Sequence, residues 1–159
     1  MERLLAVGSL MLVLLLNFNA LRADTGVGQS LIGEEVESLG GDLLQSTFDE
    51  LAALPFDRVS APTTPNDLTP KAQFGGATWE LAADLDDLDG ATVTRKMQGA
   101  GGPGTLDFNL AATVSYVQKS GTTWADSSAR TYFKRVTVTA TGPEGFHATV
   151  ESVFAAKGV

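Results

Sequence analysis

The sequence predicts an α+β fold, a long N-terminal helix packed on a four- to five-stranded antiparallel sheet. Three observations predict it. An apolar run extends from Leu4 to Phe18, an amphipathic helical pattern follows over 29–54, and the period then switches from about four to two.

The first element is Leu4 to Phe18. From Leu4 to Leu16 no residue is charged, and Ser9 is the only polar one. A bilayer span needs roughly 20 apolar residues, so the run is short for one. A secretory signal should begin basic and end at a small-residue cleavage site. Here Glu2 and Arg3 precede the run, and Asn17-Phe18-Asn19-Ala20-Leu21-Arg22-Ala23-Asp24 closes it. The segment reads as a retained helix with an acid at its tip.

The second element carries the helical spacing. Ile32, Val36, Leu39 and Leu43 form one apolar row, and Leu44, Phe48 and Leu51 continue it beside the first. Carboxylates fall between these positions, which predicts one apolar and one acidic face. Glycine costs about 1 kcal/mol relative to alanine inside a helix. Gly26 and Gly28, with Asn17-Phe18-Asn19, therefore predict a weak or unwound zone near 17–28, and Gly40-Gly41 predicts an interruption. Pro55 ends the helix.

Residues 57–75 read as a connector, because Pro62, Pro65 and Pro70 exclude a long regular element. Beyond it Leu106, Phe108, Leu110, Ala112, Val114 and Tyr116 alternate with Thr105, Asp107, Asn109, Ala111, Thr113, Ser115 and Val117. That pattern is a strand with one buried face. Trp79, Leu81 and Ala83 alternate in the same way. So do Val136, Val138 and Ala140, then Phe146, Ala148, Val150 and Phe154, and a further strand is expected over about 91–97. Thr141-Gly142-Pro143-Glu144-Gly145 has hairpin-turn chemistry, and Asp86-Asp87-Leu88-Asp89-Gly90 reads as another hairpin turn. The expected division is 1–24 for the apolar helix, 25–56 for the amphipathic half, 57–75 for the connector and 76–159 for the sheet.

Composition narrows the function. The chain has 159 residues, no cysteine and a formal charge of −8. A disulfide framework, a thiol nucleophile and a cysteine metal site are excluded. No basic tract is available for phosphate, so nucleic acid is not implied as a partner. The acid excess is local: Asp24, Glu34, Glu35, Glu37, Asp42, Asp49, Glu50 and Asp57 lie between residues 23 and 57 without a single base. No catalytic, cofactor-binding or metal-binding residue emerges, and no small-molecule substrate is implied. Setting Gly90 at the sixth position of a calcium loop puts Leu85 first and Lys96 last, and neither serves as a ligand. His147 is the only histidine and falls on the polar side of its strand or at the hairpin edge. Gly99-Ala100-Gly101-Gly102-Pro103-Gly104 lacks the Lys-Ser/Thr and the helix of a phosphate loop, so it reads as a surface loop. Trp124 has no place in the alternation.

A lone apolar helix set ahead of a small sheet resembles the bacterial type IV pilins and the related pseudopilins of type II secretion, above all their minor-pilin members. Met1-Glu2-Arg3-Leu4-Leu5-Ala6-Val7-Gly8 is similar to the tail of that family's processing motif, entered at its fourth residue. Leu51-Ala52-Ala53-Leu54-Pro55-Phe56-Asp57 is similar to the phrase that ends the long helix of minor pilins. Lys134-Arg135-Val136-Thr137-Val138-Thr139 resembles their late strand. The resemblance implies a leader and three residues ahead of Met1, an N-methylated mature chain, and assembly through Glu2, Leu4, Leu5, Val7, Leu10, Leu12, Val13, Leu14 and Phe18. It implies that Glu2 neutralises a neighbour's N-terminal amine. It implies no cofactor, no enzymatic activity, and partners that are other copies or other pilins. The chain is then expected in the inner membrane and later in an extracellular filament. Two other expectations are a pseudopilin in a short periplasmic filament, and an unrelated membrane-anchored β-domain with a binding role.

Overall fold

A computed structural model describes residues 33–59, 62–99 and 104–156. The chain divides into two compact units, Met1–Glu35 and Val36–Val159. Everything below concerns the second, apart from the first residues of its helix. The apolar run, Ile32, the weak zone at 17–28 and most of the loop at 99–104 lie outside the described residues.

Helix α1 is described over 33–53. Val36, Leu43, Leu44 and Leu51 are buried, and Leu39 and Phe48 pack at the margin of the same core. Glu34, Glu37, Asp42, Asp49 and Glu50 are exposed, as the amphipathic pattern requires. Thr47 sits on the buried face without cost, because its hydroxyl donates to the Leu43 carbonyl at 2.7 Å. The helix stops before Pro55, with the Leu54 N–H turning back to the Leu51 carbonyl at 3.1 Å.

The expected interruption at Gly40-Gly41 is absent, and α1 runs through both residues. The reason is packing. A Cβ on Gly40 would collide with the edge of the Phe146 ring, whereas one on Gly41 would meet nothing. Gly40 is a seat for an aromatic side chain, and the burial it allows offsets its poor helix propensity.

Five antiparallel strands follow: β1 Thr92–Gln98, β2 Thr105–Ser120, β3 Thr123–Asp126, β4 Phe133–Thr141 and β5 His147–Ala155. The sheet order is β1-β2-β4-β5, with β3 paired to the far end of β2. Phe108, Leu110, Ala112, Val114 and Tyr116 on β2 face inward, as do Val136, Val138 and Ala140 on β4. Register places Leu110 opposite Ala140, Ala112 opposite Val138 and Val114 opposite Val136. Leu110 and Val138 thus each face an alanine, so at two of these three positions a large side chain sits beside a small one. The other face is polar and rich in threonine, with Thr94 bonded to Asn109 at 2.7 Å and Thr139 to Thr149 at 3.1 Å.

Four sequence expectations need correction. Trp79–Leu81 is a 3-10 turn rather than a strand. With three residues per turn, positions two apart point different ways, so Trp79 is buried while Leu81 is 75% exposed. Asp86–Leu88 is also a 3-10 turn, not a hairpin, and all three of its residues are buried. Val117 is fully buried despite its outward parity. Pairing with β4 ends at Tyr116, and from Val117 onward β2 pairs with β3 instead. Finally, Val150 is 41% exposed although it lies opposite the buried Val138; β5 is an edge strand, and cover is thinner there. The turn Pro143–Gly145 joins β4 to β5 as expected.

Candidate functional site

The assembly residues read from the sequence, Glu2, Leu4, Leu5, Val7, Leu10, Leu12, Val13, Leu14 and Phe18, lie outside the described residues. Inside the described fold, chemistry gathers at one place that alternation could not foresee. It is the end of the core beneath the turns 54–59, 62–75 and 83–89.

Its centre is Lys134, the first inward residue of β4 after Phe133. The side chain is 0% exposed. Its Nζ donates to Asp57 Oδ2 at 2.9 Å and to the Phe56 carbonyl at 2.7 Å. Asp86 Oδ1 lies 2.6 Å from the same nitrogen, in a contact that lacks hydrogen-bond alignment. The rings of Phe56, Tyr116 and Phe74 stand 4.2, 5.3 and 5.4 Å from Nζ. A buried ammonium persists only with opposite charge and hydrogen bonds around it, and the aromatic faces add favourable cation–π contact.

The two carboxylates differ in their surroundings. Asp57 follows the helix stop and accepts from the Val59 N–H at 3.1 Å, the Thr69 N–H at 3.0 Å and the Thr69 hydroxyl at 3.0 Å. Burial pushes its pKa upward, but the bonds from Thr69, Lys134 and Val59 outweigh burial and bring it down to about 2. Asp86 has no such support. Neither of its oxygens finds a hydrogen-bond partner among the described residues. Burial pushes it up to about 7, against the pull of Lys134 and with a further push from Asp57.

The backbone of the Asp86 turn is nevertheless well held. The Gly75 N–H donates to the Asp86 carbonyl at 2.8 Å, and the Leu85 N–H to the Pro55 carbonyl at 3.1 Å. Gly75 has φ +78, and a Cβ there would collide with the Asp89 carbonyl. Asp84 caps the turn by accepting from the Asp86 and Asp87 N–H groups at 3.0 and 3.2 Å. Arg58 closes it from outside, reaching Asp84 at 3.2 Å and Asp87 at 2.5 Å. Burial raises the Asp87 carboxyl, yet the Ala83 N–H and Arg58 hold it below the usual carboxylate range. Lys71 bonds Asp89 at 2.7 Å and also the Val114 carbonyl. Tyr116 donates its hydroxyl to the Thr69 carbonyl at 2.7 Å, and burial raises its pKa.

The acidic run that reads as a hairpin turn is therefore a largely buried mount, its acids Asp84, Asp86, Asp87 and Asp89 answered by Arg58, Lys71 and Lys134. Sequence reasoning missed Lys134 as a buried residue, because a lysine opening a strand looks like a solvated end. The available signal was parity, since Lys134 shares the face of Val136, Val138 and Ala140. Trp124, unplaced in the alternation, packs at a tilt against Phe133 with the ring centroids 4.8 Å apart, and its carbonyl accepts from Arg135 at 2.8 Å. His147 is exposed. Among the described residues no group of acids and histidine is arranged to hold a metal ion, and no helix is long and apolar enough to cross a membrane. Beside Asp57 and Asp84 runs a groove of about 600 Å³, floored by Phe56, Leu85 and Phe154. Both acids on its wall are already engaged as described above.

Compared with protein-family models, curated proteins and solved structures, the chain matches none.

Proposed function

We propose that the chain is a structural subunit of a type IV pilus-like filament, held in the inner membrane before assembly and extracellular afterwards. One observation carries the reading: an acid-led apolar run, Glu2 to Phe18, stands ahead of an amphipathic helix whose apolar side is spent covering a one-faced antiparallel sheet. With Val36, Leu43, Leu44 and Leu51 committed to the sheet, the apolar run needs lipid first and other copies or other pilins later. Glu2 at the tip of that run would need a cationic partner once buried. In this reading the protein works by packing, without catalytic centre, cofactor, nucleic acid or small-molecule substrate.

The Leu54-Pro55-Phe56-Asp57 and Lys134-Arg135-Val136 phrases, which carry the sequence resemblance, supply the two partners of the ion pair at 2.9 Å. A subunit that bears load gains from such a tie between the end of its helix and its central sheet.

The experiment is to label cells with an antibody raised to the sheet and to shear them. Labelled filaments in the sheared fraction are expected. The native chain should begin ahead of Met1 and carry an N-methyl group by mass spectrometry. Label confined to short periplasmic structures would make it a secretion pseudopilin. A native chain beginning at Met1 or Leu21, with no filament label, would overturn the reading in favour of an anchored binding domain.

A further inference from the structure

We propose that Lys134 and Asp86 condense into an intramolecular amide bond, with Asp57 as the group that takes up the proton. The inference does not depend on the filament reading. It rests on the arrangement of three side chains sealed in one compartment.

The first observation is proximity without escape. Lys134 Nζ lies 2.6 Å from Asp86 Oδ1 and 2.9 Å from Asp57 Oδ2, and the three side chains are 0%, 1% and 0% exposed. The 2.6 Å contact to Oδ1 puts the Asp86 carboxyl carbon one bond beyond the atom that Nζ touches, and groups held side by side in this way react as if each were present at very high concentration. The backbone bonds from Gly75 and Leu85 hold the Asp86 turn, and the β2–β4 register holds the Lys134 backbone, so the main chain that carries each group is anchored.

The second observation divides the roles of the two acids. Asp57 is held ionised by Val59 and Thr69, and an ionised carboxylate is a poor electrophile. Asp86 is buried with no backbone or hydroxyl donor on either oxygen, Lys134 being its one charged neighbour of opposite sign and without hydrogen-bond alignment, an environment that favours the uncharged acid more than that of Asp57 does. An ammonium, a carboxylate and a neutral acid sum to zero charge, which is the composition a buried site tolerates best.

The step balances within the site. Lys134 Nζ passes one proton to Asp57 and becomes a neutral amine. Its lone pair attacks Asp86 Cγ, and the C–N bond forms. The Asp86 hydroxyl leaves with a second nitrogen proton as water, and one hydrogen stays on the amide. Nothing is oxidised or reduced. The walls of Phe56, Phe74 and Tyr116 exclude bulk water from the product and so disfavour its hydrolysis. The bond also removes one of the two unsatisfied Asp86 oxygens and a buried charge pair, both of which are costly. It would tie β4 covalently to the turn at 83–89.

The test uses the full chain, extracted from cells in detergent and purified. Its intact mass should be lower by one water than the mass of the same chain carrying Lys134 unreacted. Protease digestion should give a branched peptide in which tandem mass spectrometry places the link between Lys134 and Asp86. Lys134→Arg, which keeps the charge, should restore the water and lose the branched peptide. Asp57→Asn should lower the bonded fraction by about tenfold or more, the scale expected for a lost proton acceptor. Wild-type protein of full mass, or a link mapped to Asp57, overturns the proposal. Both readouts come from wild-type protein, so a misfolded variant cannot obscure them.

Discussion

Two positions on the inward face of β4, Lys134 and Val138, are equally sealed from water, at 0% exposure each, and they are sealed by opposite means. Val138 lies opposite Ala112 in the apolar core that α1 shares, where burial itself is the driving force, at about 25 cal/mol per Å². Lys134 lies under the turns 54–59 and 83–89, where burial costs free energy until each charge finds its partner. The contrast teaches that one strand face can serve two kinds of interior. The apolar end tolerates changes of shape in proportion to volume. The ion-paired end tolerates almost no change of one member alone, because what remains is an unpaired buried charge.

Breaking the charged end should have the largest effect. Lys134→Met leaves two buried carboxyl groups without their cation and should cost about 3–5 kcal/mol in urea unfolding of the full chain. Changing Asp57 and Asp86 to leucine in the same chain should recover a large part of that loss. A single Lys134→Met variant as stable as wild type would end the distinction between the two interiors.

On the apolar side, Leu51→Ala removes a side chain that is 1% exposed and should cost about 2–5 kcal/mol. No partner substitution should rescue it except one that refills the volume.

A smaller and sharper contrast lies within α1. Gly40→Leu must displace the Phe146 ring, which itself packs edge-on against Phe108 at 5.5 Å, and should cost about 1–3 kcal/mol. Gly41→Ala meets open space and should gain up to about 1 kcal/mol from helix propensity. Thermal midpoints of the two variants should move in opposite directions.

The smallest effect is on pH dependence, and its sign differs between the acids. Asp57 and Asp87 sit below the ordinary value of 3.8 in the fold. The stability they supply is present above about pH 4 and is lost as pH falls toward 2. Asp86, while it remains a free acid, is raised to about 7. The fold then holds a proton that the unfolded chain releases, so stability declines as pH rises from about 4 to 7. Urea midpoints should fall on both sides of about pH 4–5 in protein with a free Asp86. The alkaline decline should vanish in protein whose Asp86 is joined to Lys134.

The apolar end was legible because periodicity reports burial directly. Leu106 to Tyr116 and Val136 to Ala140 alternate, Val36 to Leu51 recur at helical spacing, and Pro55 stops α1 where a proline must. The charged end was not legible, because it is assembled from residues far apart in sequence. Asp57 and Lys134 are 77 positions apart, and no local pattern announces their meeting. The Asp86-Asp87-Leu88-Asp89-Gly90 run has the composition of an exposed turn; only the bases contributed by Arg58, Lys71 and Lys134 turn it inward. Trp79 misled for a related reason, since an alternating triplet without a strand to pair with has no ladder to hold it extended. Gly40 misled because its value lies in a contact with Phe146 that spacing cannot show.

The proposed assembly has the run from Leu4 to Phe18 hold the subunits together while the sheet and α1 sustain their own fold. A Leu12→Lys substitution tests it most directly, because burying an unpaired lysine among apolar helices costs several kcal/mol. The measurement is sheared filament yield from cells making this variant, with recognition by a conformation-specific antibody to the sheet as the folding control. The account predicts loss of filaments with the sheet epitope retained. Filaments of normal abundance would contradict it.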